Sequence, residues 1–266
     1  MTIGQVVDTE TAQEFMAQAL EKAERAELGD IVAELEAKSA RFRALLAPAT
    51  LHGLERGQLR SVLRSVFATR RKADAILDVM GEEQLRASFD ELLYGSPSTQ
   101  ERFHGFVDTL SGYWGDVRLA RKPLAGHEDG DIPENVLCDL ASELLHFTEP
   151  EGRWLWTRWM WDPRAGTGAL PLVTQDDYDL NGRDSGETYM KVGVALAFVQ
   201  ATGEAAGFAT FGPRRSPFGI DVFLSCVYAV YMYTTLRIRM TQEFNKVVPQ
   251  LPELSRRLLG VWKMEQ

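Results

Sequence analysis

Apolar residues recur at helical spacing through residues 1–113, with no strand-like alternation. Thr9 or Thr11 can cap a helix to about residue 27, with Phe15, Ala19 and Leu20 on one face. Gly29 and Asp30 punctuate the pattern. Asp30 then opens a second helix carrying Ile31, Leu35, Phe42 and Leu45, which Pro48 ends. A third carries Leu59, Val62, Leu63 and Val66 and closes on Arg70, Arg71 and Lys72, cations that suit a helix C-terminus. Further helices are predicted over 72–81 and 82–94, the latter with Leu85, Phe89, Leu92 and Leu93 apolar and Gly95 beyond its end. Ser96 or Ser98 opens the one that carries Phe103, Phe106, Val107 and Leu110. Short connections between such helices imply a bundle over 1–113.

The pattern lapses over 114–132, where glycines, Pro123 and mixed charges predict a linker or loop. Pro133 then starts a helix to about residue 147, with Val136, Leu137, Leu140, Leu144 and Leu145 apolar. From Gly166 the character changes, and 204–219 is a glycine-rich stretch between two predicted helices. Short apolar runs at 169–173 and 206–211 predict two small strands, and 188–201 predicts a helix. The last long element carries an uncharged run, 222–236, which is shorter than the roughly 20 residues of a membrane span and reads as a buried helix. Its β-branched and aromatic content leaves a strand over 227–240 as the alternative. A short amphipathic helix over 253–259 closes the chain. The fold class expected is mainly α: a multi-helix N-terminal bundle, a second helical layer around a buried C-terminal helix, and a minor two-stranded β element. Residues 133–266 form the Trp-rich, mostly helical C-terminal region, which can pack with 1–113 as one domain.

Within that region, residues 144–163 read LLHFTEPEGRWLWTRWMWDP and hold Trp154, Trp156, Trp159 and Trp161. Read as a strand, Trp154 and Trp156 share one face and Trp159 and Trp161 the other. Read as a helix, Trp154, Arg158 and Trp161 share a face. Both readings put apolar groups on more than one side, so the segment fits a structural joint between layers. The sharper alternative is an aromatic wall of a ligand pocket.

Composition narrows the function classes. The net charge of −9 argues against binding nucleic acid through the bulk field, while leaving room for a local basic patch. Cys138 and Cys226 lie far apart in apolar surroundings and read as free buried thiols. The start, MTIGQVVDTETAQ, lacks the basic and apolar regions of a signal peptide, so the expected location is cytoplasmic, with no membrane span.

Three constellations are candidates for chemistry. Asp177, Asp179 and Asn181 followed by Gly182 match the opening of a calcium loop, but the glutamate that should close it falls one residue early, at Glu187. No cofactor is therefore expected, with Ca2+ as the alternative to a surface turn held by Asx-type hydrogen bonds. Arg214, Arg215 and Ser216 precede a predicted helix start. There, free N–H groups and two guanidinium groups suit a phosphate or carboxylate, with Trp154, Trp156 and Arg158 as a facing wall. The plainer account pairs those arginines with nearby acids. Glu143, His146 and Glu149 offer a His–carboxylate pair, with no nucleophile motif beside it. No P-loop, Rossmann fingerprint, HExxH or G-x-S-x-G is present.

Two classes of function follow. The first is an accessory or interaction protein of a larger intracellular complex, whose partners are other proteins and whose aromatic surplus supplies interface anchors. The second is a binding or catalytic module for an anionic, phosphate-bearing ligand or a nucleic-acid end at the Arg214–Arg215 loop.

Overall fold

A computed structural model describes residues 6–120, 132–211, 215–239 and 249–262, with the backbone alone at 114–120 and 236–239. The described residues form α1 (Thr9–Leu20), α2 (Arg25–Leu46), α3 (Pro48–Leu51), α4 (Arg56–Ser65), α5 (Ala73–Met80), α6 (Glu82–Tyr94), α7 (Thr99–Ala120), α8 (Glu134–Thr148), α9 (Ser185–Ala206), α10 (Gly219–Arg239) and α11 (Leu251–Leu258). The protein is mainly helical, as the periodicity predicts. No described helix is long and apolar enough to cross a membrane.

Asp8, not Thr9 or Thr11, caps α1. Its carboxylate accepts from the Thr11 N–H at 3.1 Å and the Thr11 hydroxyl at 2.7 Å. The Thr11 side chain, then its backbone N–H, hold the Asp8 carboxyl below its usual range. A lowered pKa means the stabilisation is complete above the unfolded carboxyl's pKa and fades as pH falls through the folded one. Asp8→Ala is therefore expected to lower stability by about 1 kcal/mol at neutral pH. The difference should shrink in acid, which denaturant melts at pH 7 and pH 3 would read.

Gly29 and Asp30 do not break the chain: α2 runs straight through them. Leu28 and Ile31 are fully buried on either side, and their burial outweighs a mid-helix glycine's cost of about 1 kcal/mol.

The expected two-stranded β element is absent among the described residues, which show only isolated antiparallel bridges, Val7 with Thr174 and Asp162 with Thr167. Over 169–173 the chain makes a 3-10 turn, Leu170–Leu172. Pro171 fixes φ and removes a ladder donor there, and the Val173 and Thr174 N–H groups both return to the Leu170 carbonyl at 3.1 Å. Over 206–211, α9 continues to Ala206 and Gly207 ends it at φ 79°. The Ala209 N–H then closes back on the Gly203 carbonyl at 3.2 Å, and Phe208 docks on Phe223 at 4.6 Å. The alternative strand over 227–240 is helix as far as Arg239, and residue 240 lies outside the described residues. Residues 114–120 of the predicted linker are helix, since α7 continues to Ala120; 121–131 lie outside the described residues.

The chain divides into two units. Unit 1 comprises Met1–Lys38, Arg158–Leu180 and Val192–Gln266. Within it α1 and α11 pack on α10, whose residues 220–227 are all buried. The Trp159 indole N–H donates to the Leu258 carbonyl at 3.1 Å, and Arg256 donates to both Glu34 oxygens at 2.9 Å.

Unit 2 comprises Ser39–Thr157 and Asn181–Lys191. Its centre is α8, buried on every side from Val136 to Phe147, with α6 and α7 packed on it. Phe147 meets Phe42 edge-on at 5.5 Å, and the Ser39 hydroxyl donates to the Phe147 carbonyl at 2.8 Å. Phe103 of α7 lies between Tyr189 at 4.4 Å and Trp156 at 5.7 Å.

Candidate functional site

In unit 2 three helices end at one place, and their ends enclose a cleft of about 260 Å³. The last turn of α2 and the turn into α3 supply Arg43, Ala47 and Pro48. The end of α6 supplies Leu93 and Tyr94, and the end of α8 supplies Leu145, Thr148 and Glu149. The convergence has a local cause. Pro48 halts α2 and opens α3, Gly95 follows α6, and Glu149 leaves helical geometry at φ −136°, ψ 66°.

Helix C-termini leave carbonyls without intrahelical partners and carry partial negative charge. Side chains satisfy both demands here. The Tyr94 hydroxyl donates to the Leu46 carbonyl at 2.7 Å, and the Thr50 hydroxyl reaches the Ala44 and Leu45 carbonyls at 2.9 and 3.0 Å. Arg102 donates to the Leu92 carbonyl at 2.7 Å, and the Thr148 hydroxyl to that of Leu144 at 2.6 Å. Each of the three ends also has an arginine: Arg43 on α2, Arg102 beside α6, and Arg153 just past α8. Arg153 pairs with Glu149 at 3.2 Å.

Cationic donors and one carboxylate, Glu149, meet at this corner. The Nε–H groups of Arg102 and Arg153 are buried without a partner, and Arg43 is exposed and pairs with no acid among the described residues. Burial, and then the neighbouring Arg153, push the Arg102 guanidinium below the usual arginine range. Burial, with the Asp90 and Glu149 carboxylates, holds the Tyr94 hydroxyl above the usual tyrosine range, so it stays a neutral donor. Ala47, Pro48, Leu93 and Leu145 make the apolar floor.

The sequence-predicted residues lie elsewhere, apart from Glu149. Trp154 and Trp156 belong to unit 2, in a stretch, 153–157, that is neither helix nor strand. The Trp154 N–H donates to the Tyr189 hydroxyl at 3.2 Å, and the Trp156 N–H donates to the Ser142 hydroxyl. Trp156 is buried against Phe103 and Trp154 is half-buried. Burial raises the Tyr189 hydroxyl far above its ordinary range. His146, also buried, places Nδ1 2.8 Å from the Arg153 carbonyl, so that nitrogen carries the proton.

Arg158 is exposed in unit 1, close enough to Tyr228 to offset part of the rise that burial imposes on it. Arg215 and Ser216 are also in unit 1. Arg215 donates to Glu204 at 2.8 Å and Ser216 to Glu36 at 2.9 Å, so both meet acids. Arg214 lies outside the described residues.

In the acidic loop, Asp177 and Asp179 are exposed in unit 1, and Asn181 in unit 2 gives its carbonyl to Lys191 at 2.6 Å. Glu187 is engaged by Arg183, whose Nε lies 2.6 Å from it. Among the described residues, no group of three or more His, Cys, Asp and Glu is placed to hold a metal ion. Cys138 and Cys226 are buried and outside any disulfide, and burial pushes the Cys226 thiol up to about 12.

Sequence reasoning missed the cleft because its parts come from three helix ends far apart in the chain. One signal was available: Arg102 stands four residues before Phe106, on the apolar stripe of α7. A cation there needs a special partner. The fold and the site together define a mainly helical protein with a side-chain-sized cleft. Compared as a sequence and as a fold, the chain matches no family model, no curated protein and no solved structure.

Proposed function

We propose that the protein is an interaction module, an accessory component that holds a segment of a partner protein in the cleft at the ends of α2, α6 and α8. The observation that carries this is the lining of that corner: an apolar floor of Ala47, Pro48, Leu93 and Leu145, with the exposed Arg43, unpaired among the described residues, at its rim. A volume of 260 Å³ falls below the roughly 300–1,000 Å³ of sites for drug-sized ligands and suits one large apolar side chain. The occupant is thus an apolar residue with a carboxylate beside it, the side chain on Leu93 and Leu145 and the carboxylate at Arg43. Interface anchors commonly take this form, an apolar group in a small pocket with charges at its rim.

The probe is acetyl-Gly-Gly-Phe as the free acid, titrated by calorimetry or by amide chemical shifts. The expected dissociation constant is about 0.1–1 mM, ordinary for a single anchor. Amidation of the carboxylate, or Arg43→Gln, should weaken binding about tenfold, the loss of one charge-assisted contact. Ala47→Trp, which fills the cleft, should abolish it. Equal binding of acid and amide would sink the anionic part of the reading, and no saturable binding would sink the whole.

The alternative, an anion site at Arg214 and Arg215 with Trp154, Trp156 and Arg158, draws less support. Glu204 already neutralises Arg215, Glu36 holds Ser216, and the two indole-bearing residues serve packing and backbone hydrogen bonds within unit 2.

A further inference from the structure

One face of α9 is apolar and open to solvent. Met190, Val194 and Phe198 are 42%, 48% and 39% exposed, and they stand four residues apart. Ala201 and Ala205 are exposed on the same face, and Ala197 is half-exposed at its edge. At about 100° per residue these positions fall in a stripe about 100° wide, the width normally turned toward a core. From 190 to 205 no polar residue interrupts it. Exposed runs of this kind mark interaction surfaces.

The order of side chains along the stripe says what covers it. The large residues, Met190, Val194 and Phe198, fill its first half, with only Ala201 and Ala205 beyond them and Ala197 between. A two-fold axis between residues 197 and 198 sets Met190 opposite Ala205 of a second copy, Val194 opposite Ala201, and Phe198 opposite Ala197. Every level then holds one large and one small side chain, as interdigitated packing requires. Parallel pairing would oppose large to large at one end and alanine to alanine at the other, wedging the helices apart. The closed two-fold is also the commonest symmetry of soluble oligomers.

We infer that the protein self-associates as a two-fold dimer through antiparallel α9 helices, in the register that places 194 against 201. The stripe is about 22 Å long at 1.5 Å per residue. It buries less than the roughly 800 Å² per partner of a standard interface, so the dimer is a weak one, with a dissociation constant of about 1–100 µM. No residue of this stripe lines the cleft, and the dimer does not depend on the partner reading.

The test is sedimentation velocity on the full chain over a concentration series, for wild type, V194E, A201K and an equimolar mixture of the two variants. Melting curves confirm that each variant is folded, as expected for exposed positions. Wild type should pass from monomer to dimer in the micromolar range. Each variant alone should weaken the dimer more than tenfold, because it buries an unpaired charge. The mixture should recover association, since the antiparallel register puts the new carboxylate against the new ammonium. A wild-type monomer throughout the series would overturn the inference and give the face to a different protein. So would a dimer indifferent to V194E, or a mixture that fails to recover.

Discussion

Replacing Phe103 by alanine is expected to lower stability by about 3–5 kcal/mol, the range for removing a large aromatic from a close-packed core. The ring is fully buried and lies nearly parallel to two others, 13° from Tyr189 and 26° from Trp156. It therefore supplies stacking beyond its area burial, on the order of 0.5–1.5 kcal/mol per pair. Its neighbours cannot collapse freely into the space. Tyr189 is tied to the Trp154 N–H, and the Trp156 backbone is tied to Ser142. The loss should thus fall at the upper end of the range. A urea titration of wild type and Phe103→Ala reads it directly. A loss under about 1 kcal/mol would show that the three rings do not form the packed stack described.

A second large effect is expected in unit 1, at Gly219→Val. A Cβ at this position would stand 2.2 Å from the Ala209 carbonyl oxygen, a separation real side chains do not reach. The obstacle is backbone, so no rotamer change relieves it. Either the start of α10 or the turn after α9 must shift, at a cost of about 3 kcal/mol, the upper part of the usual overpacking range. The turn cannot yield cheaply, because Phe208 and Ala209 are both buried in it. Calorimetric melts would register the change as a lowered midpoint. An unchanged midpoint would mean that the close approach of Gly219 to Ala209 is absent in solution.

These two sites show what the sequence discloses and what it hides. The phenylalanines of α7 announce themselves by helical spacing, and Phe103 is a core residue on periodicity alone. Most helices are legible in the same way, because amphipathic faces repeat and proline and glycine mark their ends. The small strands are not legible. Residues 169–173 and 206–211 are apolar enough to resemble strands. The outcome turned on where hydrogen bonds close, on the Leu170 carbonyl in one case and the Gly203 carbonyl in the other. Gly29 resembles a break, yet the burial of Leu28 and Ile31 carries α2 through it. Tertiary packing settles such local ambiguities, and packing is not written in any short window.

The site follows the same division. The tryptophan segment draws the eye by composition, but its backbone N–H groups are spent on Tyr189 and Ser142, and its indoles lie mostly buried. The cleft draws none, since Arg43, Tyr94 and Glu149 each look like an ordinary helix-end residue. Only the meeting of three C-termini turns them into a cleft with an apolar floor and charged groups at its rim. The same corner explains why Arg102 is tolerated inside: it caps α6 at Leu92.

The most direct test of the interaction reading is a quantitative affinity purification from the source cells, with tagged wild type and Ala47→Trp compared side by side after both are shown to be folded. Wild type should retain at least one partner protein that Ala47→Trp loses about tenfold or more, as expected when a hot-spot pocket is filled. That partner should carry an apolar residue beside a carboxylate in the segment that protects the cleft. Identical sets of retained proteins for the two chains would contradict the claim that the cleft at the ends of α2, α6 and α8 holds a partner.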